Sequence, residues 1–149
     1  MKKVAYAILI TAGLGMSAAA MAAGTAITKE PITSAQCALL ADSVRLHLSN
    51  NVHSAWACSD ENAKTIKIAA CHEWGGRTPT DVPCTPVGTK PDGSTLYNFA
   101  ECAANPALTV TISGPRAFVG SSAGGAAAAT GLDGGCSDES IAALDHFVE

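Results

Sequence analysis

The sequence predicts a mainly β fold, a small antiparallel sheet or sandwich held by disulfides and closed by a short C-terminal helix, with α+β as the alternative class. Three observations carry this. Six cysteines, Cys37, Cys58, Cys71, Cys84, Cys102 and Cys136, all follow an N-terminal segment built like a secretory signal. Short runs alternate apolar and polar residues, as a half-buried strand does. Between those runs stand clusters of Gly, Pro, Asn and Asp, which are turn formers.

The first segment, residues 1–22, has the order of a cleavable signal peptide. Lys2 and Lys3 supply the positive start, Val4 to Met16 run without a charge, and small residues lead to an Ala-x-Ala site at Ala20 and Ala22. The uncharged run is too short to span a bilayer, and cleavage is expected after Ala22. What remains, 23–149, fits one domain and holds no second apolar stretch long enough to cross a membrane. The expected location is the periplasm, the cell surface or the medium.

In an oxidising compartment the even cysteine count reads as three disulfides. The core needs them, because past residue 22 the aromatic residues are only Trp56, Trp74, Tyr97, Phe99, Phe118 and Phe147. Much of the apolar content is alanine, which buries little area. Each bridge adds roughly 2–4 kcal/mol, so three rival the net stability of a small domain. Short loops close most readily in an unfolded chain, which points to Cys37–Cys58, Cys71–Cys84 and Cys102–Cys136, with Cys58–Cys71 as a rival.

Residues 23–33 form a Thr-rich arm, expected to be extended because Pro31 disfavours helix at Glu30. Residues 34–149 form the disulfide-bonded domain. Val44-Arg45-Leu46-His47-Leu48 alternates like a strand, although Leu40, Val44, His47 and Leu48 also fit a helical face. After the Asn50-Asn51 turn come Val52 to Ser59 and, past Asp60–Ala63, Thr65 to His72. Val44 to His72 therefore reads as a three-stranded meander, with a short helix at Ala35 to Ala41 as an option. Trp74 to Pro86 reads as loop. Pro91-Asp92-Gly93-Ser94 is the strongest turn signal and joins Val87–Lys90 to Thr95–Glu101 as a hairpin. Leu108, Val110 and Ile112 alternate with Thr109, Thr111 and Ser113, and Ala117 to Gly120 can begin a further strand. The 120–135 tract of Gly, Ala and Ser is either a flexible loop or backbone packed closely against a neighbour. Ser137 caps a terminal helix whose first turn carries Asp138 and Glu139 and whose apolar face is Ile141, Leu144 and Val148.

Charge excludes some functions. Without Lys2 and Lys3 the chain has seven basic and thirteen acidic residues, a net charge of −6. That sign repels phosphate backbones and anionic lipid, so neither nucleic acid nor a membrane surface is an expected partner.

No motif carries a catalytic assignment. Gly120-Ser121-Ser122-Ala123-Gly124 matches a nucleophile elbow, and Asp133 or Asp138 and then His146 follow in hydrolase order. That elbow belongs to a large doubly wound sheet, which this chain is too short to build, and a Gly/Ser/Ala tract produces the pattern by composition. Cys71-His72-Glu73 with His47, His53 and Asp60 lacks zinc-type spacing. No metal and no cofactor is therefore expected. Trp74 and Arg77, in Trp74-Gly75-Gly76-Arg77, are the candidate binding residues, since a flat ring beside a guanidinium can clasp a sugar or peptide; the competing role for Trp74 is to cover a thin core. Trp56 shares a strand face with Ser54 and Cys58, so core packing is its expected role.

Gly24-Thr25-Ala26-Ile27-Thr28 and Ile32-Thr33-Ser34-Ala35-Gln36-Cys37 resemble the start of chaperone–usher pilus subunits. The resemblance covers residues 24–37 and implies an incomplete immunoglobulin-like sandwich completed by a neighbour's arm. The C-terminus departs from that family: Leu144-Asp145-His146-Phe147 reads as helical where a pilin closes with a strand. Six cysteines also exceed the family's usual single bridge. The expected function is a non-enzymatic exported binding or structural protein, as a subunit of a surface assembly, with a protein partner or its own copies. The alternative is a monomeric periplasmic binding or inhibitor protein.

Overall fold

The computed structural model describes residues 23–59, 64–90, 92–124 and 126–147. The expected signal segment, the Asp60–Ala63 break, Pro91 of the hairpin turn, and Val148 lie outside the described residues. Among the described residues nine strands form in chain order: β1 Thr25–Ala26, β2 Val52–Ser59, β3 Thr65–His72, β4 Thr80–Pro83, β5 Pro86–Thr89, β6 Thr95–Tyr97, β7 Thr109–Ile112, β8 Arg116–Ser121 and β9 Ala128–Gly131. A single helix among the described residues, α1, Asp138–Ala142, follows, and short 3-10 turns cover Ala100–Ala103 and Asp145–Phe147. All pairings of these strands are antiparallel: a five-stranded sheet in the order β1-β2-β3-β8-β9, and two two-stranded ribbons, β4-β7 and β5-β6. The mainly β fold with three disulfides and a short C-terminal helix is thus as the sequence predicts.

Alternation sets the two faces of the main sheet. On β3, Thr65, Lys67, Ala69 and Cys71 are buried on one side, while Ile66, Ile68, Ala70 and His72 point the other way. The inner face is floored by Ala55, Ala69, Ala117 and Ala128, small enough for larger groups to approach closely. Val87 and Leu96 of the β5-β6 ribbon, Ile141 of α1 and Phe147 fill the space above that floor. The outer face is covered over β2 and the start of β3: Ile27, Cys37 and Trp56 form a second cluster, joined by Ile32, Leu40, Leu46 and Ile66. Trp56 is a core residue, as its strand face implies.

Several expectations give way. Val44–Leu48 forms no strand; it makes one isolated bridge, Ile32 to Val44, because the β2 edge it would join is taken by β1. The meander is therefore the β2–β3 hairpin extended by β8. Residues 35–41 form turns, with the Gln36 and Cys37 amides donating to the Thr33 carbonyl, and no helix. The 74–86 stretch, read as loop, contains β4, which pairs with β7; Pro83 and Pro86 are tolerated because both ribbons are all edge. The hairpin strand ends at Tyr97, and Ala100–Ala103 turns back as 3-10 helix. Within the 120–135 tract Ala128–Gly131 form β9, paired with β8, while a Cβ at Gly124, Gly134 or Gly135 would meet nothing within 4 Å.

The disulfides are Cys37–Cys58, Cys71–Cys136 and Cys84–Cys102, with Cα–Cα distances of 5.7, 5.8 and 5.6 Å. The first is as expected; Cys71–Cys84, Cys102–Cys136 and the rival Cys58–Cys71 are not formed. Loop length governs encounters in the unfolded chain, whereas the native bond needs Cα atoms within about 7 Å. Cys71, next to last in β3, is bonded to Cys136 just before α1, and Cys84 is bonded to Cys102 in the 3-10 turn. In the hairpin, Cys58 faces Ile66 and Cys71 faces His53.

Candidate functional site

Trp74 follows β3 in a turn and is 76% exposed. Its amide donates to His72 Nδ1 at 3.1 Å, and its ring meets the His72 ring edge-on, 6.2 Å between centroids. The ring therefore stands in solvent and does not cover the core. Arg77 points back, its guanidinium donating to the Glu73 carbonyl at 3.4 Å. Tryptophan and arginine share this loop, each anchored to a different residue of it.

Near them lies the outer face of the main sheet, with a feature that sequence reasoning missed. Phe118 projects from β8 and is 62% exposed. Its lateral neighbours in the ladder are Ala70 on β3 and Ala129 on β9, and two residues along its own strand are Gly120 on one side and, on the other, Arg116, whose guanidinium donates to the Thr78 carbonyl. Neither alanine nor Gly120 is large enough to shield the ring, which is left 62% exposed. Ile68, opposite Gly120, is also exposed. Beside it a small hollow of about 90 Å³ is lined by Leu40, Val44, Leu46, Trp56 and Ile68, with no polar lining.

The motif Gly120 to Gly124 ends β8 and is stitched to β3. The Ser122 hydroxyl oxygen accepts the Ile66 amide proton at 2.8 Å, and the Ser122 amide donates to the Ile66 carbonyl at 2.9 Å. His146 is buried, and its Nε2 donates to the Gly120 carbonyl at 3.1 Å. Ser122 and His146 are thus committed to backbone groups, not to each other. Burial holds the His146 pKa below the ordinary 6.5, opposed by the Gly120 hydrogen bond and reinforced by the nearby Lys67 charge.

The scattered histidines and acids also resolve. His53 lies between two carboxylates: Nδ1 is 2.7 Å from Asp138 and Nε2 is 3.0 Å from Glu73. The hydrogen bond to Glu73, then that to Asp138, raise its pKa above 6.5. Cys71 is in a disulfide, His72 accepts from Trp74, and Asp60 lies outside the described residues. Among the described residues no group of three or more such side chains is placed to hold a metal ion.

On the inner side of the sheet a cleft of about 500 Å³ opens between the β5-β6 ribbon and the C-terminal segment. Its walls include Leu96, Tyr97, Phe99, Val119, Leu144 and His146. The buried Asn98 amide holds this region together: its Nδ2 donates to the Ala129 and Pro83 carbonyls, and its Oδ1 accepts the Thr85 amide proton. No periodic pattern in the sequence marks either the cleft or Asn98.

No helix among the described residues is long and apolar enough to cross a membrane. Comparison with known protein families, with curated proteins and with solved structures finds no match to this chain.

Proposed function

We propose that this chain is an exported, non-enzymatic structural protein that assembles with further copies of itself outside the cytoplasm, docking through the uncovered part of the outer face of its main sheet, around Phe118 and Ile68. The supporting observation is Phe118, an apolar ring left 62% exposed beside Ala70, Ala129 and Gly120. Ile68 and Ala70 continue the surface on β3 without a charge. Two such faces can stack about 10 Å apart, as the sheets of a sandwich do. The adjoining apolar hollow offers a seat for the ring of an opposing copy. Three disulfides agree with an oxidising location.

The test is the mass of the exported protein in solution. Protein recovered from a bacterial periplasm should have the mass of residues 23–149 less six hydrogens, and light scattering should show concentration-dependent association. Phe118→Asp should give monomers with an unchanged unfolding midpoint. A wild-type protein that stays monomeric at high concentration would remove the self-assembly reading.

The alternative, a monomeric binding or inhibitor protein, draws on the N-terminal arm. β1 lies on the edge of its own sheet, with Thr25 opposite Trp56 and Ala26 opposite Ala55. The Gly24 amide donates to the Ala142 carbonyl at 2.8 Å. The chain thereby covers its own edge, although exchange of the same strand between two copies would reproduce the same pairing. A monomer that captures a protein through Phe118 and Trp74 would select this reading.

A further inference from the structure

We propose that the cleft between residues 97–103 and residues 143–146 is a preformed binding site for a neutral, flat apolar molecule. Its volume of about 500 Å³ is that of a small-molecule site. Tyr97, Phe99 and Leu144, each half-buried, and the exposed Ala100, Ala103 and Ala143 give it apolar surface that solvent still reaches. Rings on one wall and a leucine on the other offer a flat guest contact on both sides.

The two walls are held apart from behind. Apolar surfaces that face each other across water close up unless something resists. Behind the first wall, Cys84–Cys102 ties down the 3-10 turn Ala100–Ala103, and the buried Asn98 amide is bonded to backbone groups of Pro83, Thr85 and Ala129. Behind the second, Cys71–Cys136 fixes the entry to α1, and His146 Nε2 donates to the Gly120 carbonyl. A cleft that stays open on its own spares a ligand the cost of ordering it.

The chemistry of the guest follows from what the walls leave unspent. The Thr130 hydroxyl donates to the Asn98 carbonyl and the Ser140 hydroxyl to the Gly135 carbonyl, so these groups, like the Asn98 amide, are occupied within the fold. His146 Nδ1 is shut away from solvent and takes no part. The charges in the lining have both signs, Lys90 against Asp133 and Asp145, all on exposed residues. Neither sign of guest is favoured, and an ion would give up hydration without a buried partner in return. A neutral apolar body gains from leaving water. The uncharged hydroxyls of Thr95 and Tyr97 are within the lining to meet a single hydroxyl on it.

This site does not depend on the assembly proposed above. Val119, which lines the cleft, lies on the opposite face of β8 from Phe118. The probes are 2-naphthol, naphthalene-2-carboxylate and 2-(aminomethyl)naphthalene, which are neutral, anionic and cationic near neutral pH. Each is titrated calorimetrically into the disulfide-intact protein. The naphthol should bind saturably and shift the Tyr97 and Leu144 resonances, with both ions weaker by about tenfold. Ala103→Asp, which sets a charge at an exposed point of the wall, should weaken the naphthol by about tenfold without moving the unfolding midpoint. Phe118→Asp should leave naphthol binding intact. Either ion binding as tightly as the naphthol, full affinity in Ala103→Asp, loss of binding in Phe118→Asp, or no saturable binding of the naphthol up to about 1 mM would each overturn the proposal.

Discussion

His53 stands directly opposite Cys71 in the β2–β3 ladder, and the histidine is latched by residues that flank the two ends of that cysteine's disulfide. Glu73 is two residues beyond Cys71, and Asp138 is two residues beyond its partner Cys136. The bond brings both carboxylates to the one imidazole, at 3.0 and 2.7 Å. To donate to both, the ring must carry two protons, so the covalent tie and the ion pairs hold the same junction between the sheet and the N-terminus of α1.

The latch makes stability depend on pH. His53 has a folded pKa raised above 6.5, first by Glu73 and then by Asp138. Its contribution is therefore complete below 6.5, while the carboxylates are ionised, and is lost as pH rises through the folded pKa. The unfolding midpoint of wild type, relative to His53→Gln, should be higher at pH 6 than at pH 9. A difference between the two proteins that is constant over that range would show that the ring is not protonated in the fold. Histidine resonances give an independent check: His53 should titrate above 6.5 and His146 below it.

Among the disulfides, Cys71–Cys136 spans 65 residues, against 21 and 18 for the other two. Loop-closure entropy then assigns it the largest share, roughly 4 kcal/mol against about 3 for each of the others. Cys71→Ala with Cys136→Ala should lower denaturant stability most among the three paired deletions and should remove most of the His53 pH dependence. Non-reducing peptide maps should show Cys71 joined to Cys136; a Cys71–Cys84 peptide in native material would contradict this connectivity.

Gly24 is packed against the ring of Phe147, which is fully buried. A Cβ at Gly24 would meet that ring at 2.6 Å. Gly24→Ala should cost about 1–3 kcal/mol through overpacking. Phe147→Leu in the same chain should cost less than the sum of the two single changes, since it frees the space that the methyl needs. Strict additivity would place the arm elsewhere.

Ser122 caps the β3–β8 edge. Ser122→Ala should cost about 0.5–1.5 kcal/mol, because the Ile66 amide loses its acceptor, with water offering partial replacement. A serine-reactive phosphonate should leave the protein unlabelled. Stoichiometric labelling at Ser122 that disappears in His146→Ala would restore the hydrolase reading.

Local patterns determined what the sequence alone could: the alternation of Thr65 to His72 and of Thr109 to Ile112, the turn at Asp92-Gly93, and the cap at Ser137. Each depends on neighbours within a few residues. Ser137 accepts the Ser140 amide proton, and Ser140 accepts that of Ser137 in return. Of the candidate site, the sequence marked Trp74 as a candidate contact residue by its type and its glycine-rich loop, with core cover as the competing role; the structure leaves its ring exposed. Phe118 was legible only as part of a strand, because its exposure comes from the register that sets Ala70 and Ala129 at its sides. Tertiary structure alone decided the partners of Cys71, Cys84, Cys102 and Cys136, the pairing of β4 with β7, and the burial of His146 under β8. Alternation states which side of a strand is apolar; only the assembled sheet decides what covers that side, and over Phe118 it puts nothing.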